Sequence, residues 1–137
     1  MEAVVNHSGV TFSITEVFST SPEVLFDAWL DSESHSSMTG SKSQVSNREG
    51  EDFSAWDGYI KGKNLELQRP FRILQAWRTA DFVDSEPDSI LEITFSKVED
   101  RTKVTIQHSE LPEHGTQYQQ GWVEAYFNPM KNYFPDK

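Results

Sequence analysis

Four histidines are the side chains in this sequence that can bind a metal or carry protons near neutral pH. They are His7, His35, His108 and His114. No two of them have the spacing of a His-Glu-x-x-His motif, and the absence of cysteine removes thiolate zinc ligands and cysteine nucleophiles. A metal site would need carboxylates from distant parts of the chain. We therefore expect no metal and no cofactor.

Two further patterns of catalytic interest are incomplete. Gly62-Lys63 resembles the end of a phosphate-binding loop, but the gap after Gly58 is too short and Asn64 replaces the required Ser or Thr. No Gly-x-Ser-x-Gly elbow is present, so a serine hydrolase has no support in the sequence. The expectation is a binding protein and not an enzyme.

His108 is the polar side chain of most interest, because it alternates with Val104 and Ile106 and so points to the core side of a strand. A buried histidine satisfied by a neighbour is the more frequent outcome. The alternative is that His108, with Gln75, contacts a ligand in a cavity between sheet and helix. The body of that ligand would pack on Trp29, Met38, Phe53, Trp77, Phe95, Trp122, Tyr126 and Phe127. These aromatics can equally fill the core, and a pocket requires the sheet to curve away from the helix.

The overall charge argues against two classes of partner. With 22 acidic and 12 basic side chains the formal charge is -10, which repels nucleic-acid phosphates and anionic lipids. No stretch approaches the roughly 18 apolar residues of a membrane span, and the first residues lack the pattern of a signal peptide. We expect a soluble cytoplasmic protein that binds neither nucleic acid nor membranes.

One basic band interrupts the acidic composition. Between Tyr59 and Arg78 the only acidic residue is Glu66, whereas the basic residues are Lys61, Lys63, Arg69, Arg72 and Arg78. Such a band can dock on an acidic protein surface, in which case salt would weaken the binding. The alternative is a set of solvated strand faces with edge lysines that prevent aggregation.

The elements that must position these residues are mainly strands. Alternation of apolar and polar residues predicts four of them, at residues 10–18, 72–78, 89–97 and 102–108, the last two joined by a turn at Glu99-Asp100. A hairpin of residues 52–56 and 59–68 is predicted around Asp57-Gly58 as a two-residue turn. Because Ile60 differs in parity from Leu65 and Leu67, we expect a bulge at Gly62, where valine would shift the register or destabilise the fold.

Helices are predicted near both ends. The first runs to about Leu30 from one of two starts, Ser21 with Pro22 in the first turn, or Thr20 capped reciprocally by Glu23. Residues 31–50 are predicted as loop with a short helical turn and a weak strand near 42–46, and residues 80–88 as an acidic solvated loop.

A long terminal helix is predicted to start between residues 116 and 119 and to run to Phe134. Its aromatic and apolar residues recur at spacings of three, four and seven, which requires a sheet to cover them. Pro129 removes a hydrogen bond to Ala125, so a bend is expected there. We interpret residues 1–137 as one α+β domain, a curved antiparallel sheet of about six or seven strands around this helix.

Several motifs in order resemble the family of activators of heat shock protein 90 ATPase. They are the segments at residues 22–29, 38–40, 57–67 with Phe53, 73–78 and 102–104, with His108-Ser109, Leu111-Pro112 and residues 121–134. The resemblance implies the START-related helix-grip fold, in which related proteins hold apolar ligands and others are cyclases. It extends to the C-terminal domain of the eukaryotic activators only, because the Asn-x-Asn-Asn-Trp-His-Trp motif and N-terminal domain are not found here.

Two functions follow from this resemblance as expectations. The first is a module that modulates the heat shock protein 90 chaperone through the basic band. The second is a carrier or sensor of a small hydrophobic ligand in the cavity between sheet and helix.

Overall fold

The computed structural model describes residues 10–135, in which six strands form one curved antiparallel sheet. The strand order is β1-β6-β5-β4-β3-β2. The bounds are β1 Val10–Phe18, β2 Asp52–Ala55, β3 Ile60–Gln68, β4 Arg72–Thr79, β5 Ser89–Val98 and β6 Arg101–Leu111. The α+β helix-grip prediction is confirmed, and so is the turn at Glu99-Asp100, since Val98 pairs with Arg101.

The first helix, α1, spans Pro22–Trp29 and has the first of its two predicted starts. The Ser21 side chain accepts a hydrogen bond from the Val24 N–H, and Pro22 occupies the first turn, where no N–H is needed. Leu25, Phe26 and Trp29 are buried against the sheet side of the molecule.

A second helix, α2, spans Ser32–Thr39, where only a short turn was predicted. Its serines are weak helix formers, but Asp31 accepts from the Ser34 N–H at 2.9 Å, and Gly40, with φ of 82°, ends the helix. The predicted strand near residues 42–46 is wrong, because this segment makes only an isolated bridge between Gln44 and Ser54.

The turn between β2 and β3 is longer than predicted. Ala55 pairs with Ile60, so the connection has four residues, and Trp56, Asp57 and Gly58 all have positive φ. The Asp57 N–H donates to the Lys42 carbonyl at 2.8 Å. This bond ties the turn to the preceding loop, which explains why the compact two-residue form is not adopted.

The predicted bulge in β3 exists at another residue. The register shifts between Asn64 and Glu66, so Leu65 is the extra residue, and it points outward. Asn64, the residue before it, is buried on the core side of the sheet. After the bulge Leu67 also faces the core, where it pairs with Ile73. Gly62 pairs regularly with Phe53 and Trp77.

The chain ends in a helix that lies across the sheet and is called the C-terminal helix here. A 3-10 turn, Glu113–Thr116, leads into α3, Gln117–Trp122, followed by a π-helical turn, Val123–Phe127, and α4, Asn128–Tyr133. In the π turn the Asn128 N–H bonds to the Val123 carbonyl, five residues back. A bend was predicted at this place because of Pro129. The structure has a π-helical turn there, and the hydrogen bond of that turn comes from Asn128 and does not need an N–H from the proline.

Gly62 is required by close packing and not by a bulge. A β-carbon there would lie 2.0 Å from the Ala76 carbonyl oxygen and 2.6 Å from the Phe53 ring. We expect Gly62→Ala to lower the free energy of unfolding by about 1–3 kcal/mol, the usual cost of overpacking, as measured by urea denaturation.

Gly121 is the matched control, because a β-carbon there meets nothing within 4 Å. Gly121→Ala should leave stability unchanged or raise it by up to about 1 kcal/mol, since alanine favours the helix. Equal changes in the free energy of unfolding in Gly62→Ala and Gly121→Ala would show that close packing around Gly62 does not determine stability.

Candidate functional site: an aromatic cleft between sheet and helix

An apolar cleft of about 290 Å³ lies between the sheet and the C-terminal helix, and it is called the aromatic cleft below. Six of its lining residues are aromatic and three are aliphatic or small: Trp56, Tyr59, Trp77, Tyr118, Trp122 and Tyr126, with Ile60, Gly121 and Ala125. The partly exposed residues Tyr59, Gly121 and Ala125 mark its open side. A pocket of this character is the usual form of a small-molecule site.

The ten residues predicted to line a ligand cavity are all buried, at most 8 % exposed. Trp77, Trp122 and Tyr126 line the aromatic cleft. The other seven lie behind it or elsewhere in the core: Trp29, Met38, Phe53, Gln75, Phe95, His108 and Phe127. Phe95 packs on Phe26, and Phe127 packs on Phe18 with ring centroids 5.8 Å apart.

Six lining residues were not in the predicted set. Tyr118 belongs to the aromatic stripe of the C-terminal helix, as do Gly121 and Ala125 by position, so the spacing could have identified them. Trp56 and Tyr59 reach the cleft because the β2–β3 turn has four residues. The sequence signal at Asp57-Gly58 favours a shorter turn, which would place these two side chains differently.

His108 lies directly behind the wall of the cleft in a chain of hydrogen bonds. The Trp122 Nε1–H donates to His108 Nδ1 at 3.0 Å, and His108 Nε2 lies 2.8 Å from Ser89 Oγ. Ser89 Oγ also bonds to the Trp77 carbonyl at 2.9 Å. Since an indole N–H can only donate, His108 carries its proton on Nε2 and donates to Ser89, which donates to Trp77.

His35 holds the other end of the aromatic group with the opposite tautomer. Its Nδ1 lies 2.7 Å from the Trp29 carbonyl, which can only accept, and its Nε2 lies 2.8 Å from the Tyr126 hydroxyl. The proton therefore resides on Nδ1, and Tyr126 donates to Nε2. The Tyr126 ring stacks on Trp29, with centroids 5.0 Å apart.

Burial keeps both histidines neutral. It lowers the pKa of His108 to about 3 and the pKa of His35 to about 4, the second opposed in part by the bond to the Trp29 carbonyl. Burial also raises the pKa of Tyr126 and of Tyr118 far above the usual value. At neutral pH these groups are therefore uncharged hydrogen-bonding partners.

A small polar cluster closes one end of the cleft. The Tyr118 hydroxyl lies 2.6 Å from Thr79 Oγ1, and the Tyr59 hydroxyl donates to Asp81 Oδ2 at 2.5 Å. Burial and the Asp81 contact raise the pKa of Tyr59. The cluster presents one exposed carboxylate, Asp81, near the open side of the cleft.

Gln75 does not reach the aromatic cleft but secures a loop. Its Nε2 donates to Asn64 Oδ1 at 2.8 Å, and Asn64 Nδ2 donates to the carbonyls of Ser46 and Arg48. The buried amide pair therefore connects β3 and β4 to the loop that follows α2.

The basic band is largely neutralised by neighbouring acids. Arg69 makes a bidentate pair with Asp27, Arg72 pairs with Glu66 and Glu92, and Arg78 pairs with Asp88, all on the surface. Within residues 10–135, neither Lys61 nor Lys63 has an ion-pair partner. These two lysines face away from the helix and, with Arg78, line a polar groove of about 430 Å³.

No three metal-binding side chains converge anywhere in the part of the chain that the structure describes. His7 lies outside these residues, and His114 pairs with Glu86 at 3.1 Å. Among residues 10–135 no helix is long and apolar enough to cross a membrane.

Comparison with known proteins supplies the family. Residues 19–135 match the family described as "Activator of Hsp90 ATPase homolog 1-like protein". The chain belongs to this family. The match covers every element from α1 to the C-terminal helix, including all lining residues of the aromatic cleft.

Two family relatives are similar over most of this chain. An activator of 90 kDa heat shock protein ATPase homolog from Dictyostelium discoideum is 28% identical over 127 residues, which is 90% of this chain. This chain spans 33% of the length of that relative. The crystal structure of an HSP90 activator from Plasmodium falciparum is 27% identical with a TM-score of 0.85, covering 94% of this chain and 100% of that one.

The fold extends beyond proteins described as activators. The crystal structure of CalU16 from Micromonospora echinospora has a TM-score of 0.77 at 20% identity, covering 91% of this chain and 76% of that one. This likeness shows a shared fold only.

The neutral histidines predict an acid-sensitive fold. Their folded-state pKa values lie below the ordinary 6.5, so the unfolded chain binds protons first as the pH falls. We expect the free energy of unfolding to fall below pH 6.5, continuing to about pH 4 for His35 and pH 3 for His108. The slope is up to about 1.4 kcal/mol per pH unit for each group.

Urea denaturation across this pH range measures the slope. His108→Leu should be less stable than the wild type at neutral pH, but it should lose less stability on acidification. Nitrogen NMR of the two rings should show the proton on Nε2 of His108 and on Nδ1 of His35. An identical acid slope in wild type and His108→Leu would contradict the assignment.

Proposed function

We propose that this chain is a cytoplasmic, non-enzymatic binding domain whose partner is an Hsp90-type chaperone. The supporting observation is the 27% identity to the crystallised chain of a Plasmodium falciparum HSP90 activator, all of which this chain covers. We further propose that residues 1–137 form one domain.

The docking surface is best sought on the sheet face that points away from the C-terminal helix. Lys61 and Lys63 alternate with the inward residues Ile60, Gly62 and Asn64 on β3, so they project to solvent on that face. An ammonium without an ion-pair partner is available to an acidic partner surface, whereas a paired arginine must first break its pair. The groove beside these lysines offers a shape for a protruding side chain.

A second function is favoured by the aromatic cleft itself. The cleft is open on one side, is lined by carbon surface, and has a volume suited to a small molecule. A core that was filled completely by its aromatic side chains would leave no such space. We propose that this domain also binds a small apolar ligand there, as a carrier or sensor.

Charge reversal tests the first function. Lys61→Glu with Lys63→Glu should weaken binding to the Hsp90 of the source organism roughly tenfold, mainly through slower association, and added salt should weaken wild-type binding in the same direction. Surface plasmon resonance measures the affinity, the association rate and the dependence of both on salt.

The matched control for this prediction is Lys97→Glu with Lys103→Glu, which makes the same change in net charge. These two lysines lie on β5 and β6, at the end of the sheet opposite to Lys61 and Lys63. It should bind like the wild type. If both double variants bind with wild-type affinity, the lysine pair on β3 is not the docking surface.

Filling the cleft tests the second function. Gly121→Leu or Ala125→Leu places new side-chain volume in the cleft, and at Gly121 the space beyond the α-carbon is empty to 4 Å. Binding of the fluorescent dye N-phenylnaphthylamine should be lost in both variants. Gln119→Leu, at an exposed position on the same helix, should bind the dye like the wild type. Retained dye binding in the filled variants would place the apolar site elsewhere.

A further inference from the structure

Four of the six polar side-chain atoms on the aromatic walls of the cleft are bonded to other protein groups. The Trp122 N–H is used by His108, the Tyr126 hydroxyl by His35, the Tyr118 hydroxyl by Thr79 and the Tyr59 hydroxyl by Asp81. The other two are indole nitrogens: that of Trp77, and that of Trp56, which has no partner within the described residues and is enclosed by protein. A bound molecule therefore meets mainly ring carbons and aliphatic carbons.

The same bonds hold the rings in fixed positions. Trp122 lies 4.7 Å from Tyr126 and 5.7 Å from Trp77 between ring centroids, and Tyr118 meets Trp77 edge to face at 5.0 Å. Rings held in this way are preorganised, so a ligand does not have to order them when it binds. Aromatic surfaces favour other aromatic rings, by offset or edge contacts, over aliphatic groups of equal area.

The charges around the cleft disfavour an anionic ligand. None of its lining residues carries a cationic side chain. The two histidines behind it remain neutral, and the Tyr59 hydroxyl on its open side is bonded to the exposed Asp81 carboxylate. A ligand carboxylate would lose its hydration without gaining a counter-charge.

The volume limits the size of the occupant. An engineered apolar cavity of about 150 Å³ holds one benzene ring. The aromatic cleft, at about 290 Å³, has roughly twice that space and is open on one side. A molecule of more than one ring fits, and a ring that protrudes can lie in the opening between Tyr59 and Gly121.

We propose that the aromatic cleft takes a flat, uncharged, polycyclic aromatic molecule and rejects anions and saturated chains. This inference rests on the second proposed function and specifies its ligand class. Polar substituents of the ligand would point to the open side, where Tyr59 and Asp81 border solvent.

Three probes with the same ring skeleton test this ligand class. Naphthol, its saturated analogue decahydronaphthol, and naphthoate differ in aromaticity or charge but little in size. For the wild-type protein, naphthol should bind roughly 3- to 10-fold more tightly than decahydronaphthol, the range expected for one aromatic pair contact. It should bind at least about tenfold more tightly than naphthoate, because the carboxylate must be desolvated. Competition with N-phenylnaphthylamine measures all three affinities.

Asp81→Asn tests the origin of the charge selectivity. The amide oxygen of the substituted side chain can still accept the bond from Tyr59, but the negative charge is gone. The ratio between naphthol and naphthoate affinities should narrow by roughly two- to fivefold, the limit for an exposed charge. Asp84→Asn, in the same acidic loop, is the matched control and should leave the ratio unchanged.

The outcomes separate this inference from the function on which it rests. If the dye binds and is lost in Gly121→Leu, but decahydronaphthol or naphthoate competes as well as naphthol, the ligand class is wrong and the ligand function stands. If neither the dye nor any probe binds the wild-type protein, the ligand function fails and the inference fails with it.

Discussion

The hydrogen bond from Trp122 Nε1 to His108 Nδ1 joins the C-terminal helix to the centre of the sheet. Both groups are almost fully buried, so the loss of either partner would leave a polar atom unsatisfied in an apolar environment. Through Ser89 the same chain of bonds reaches the Trp77 backbone, and so it connects the helix with β6, β5 and β4. The position of the helix over the sheet depends on a polar contact within an otherwise aromatic core.

This arrangement explains how a fold rich in large rings retains a cleft. Trp122 and Tyr126 are held by His108 and His35, so neither ring is free to turn into the space between sheet and helix. The π-helical turn at Val123–Phe127 lies beside these residues and includes Tyr126. Specific hydrogen bonds therefore define the volume of the cleft, and hydrophobic packing fills the space behind it.

Much of the fold could be predicted because it depends on local periodicity. Alternation identified β1, β4, β5 and β6, and the aromatic stripe identified the C-terminal helix. The predictions that were wrong involve contacts between distant segments. The β2–β3 turn follows the bond from Asp57 to the Lys42 carbonyl, and the outward bulge at Leu65 accompanies the buried pair of Asn64 and Gln75. A single sequence carries no signal for either contact.

The candidate site was predicted in part for the same reason. Parity placed His108 inside, but its partners Trp122 and Ser89 lie 14 and 19 residues away along the chain. Likewise the five basic residues form a band in sequence, although three of them are paired with acids in the structure. The sequence shows which side chains are basic, whereas the fold determines which of them are free of an acidic partner among the described residues.

The most direct test of the aromatic cleft as a binding site is native mass spectrometry of the protein purified from its source cells. The account predicts a bound small molecule that is released on mild denaturation, is uncharged and aromatic, and is absent from Gly121→Leu prepared in the same way. If both the wild-type protein and Gly121→Leu show only the mass of the protein chain, with no bound molecule, the account is contradicted.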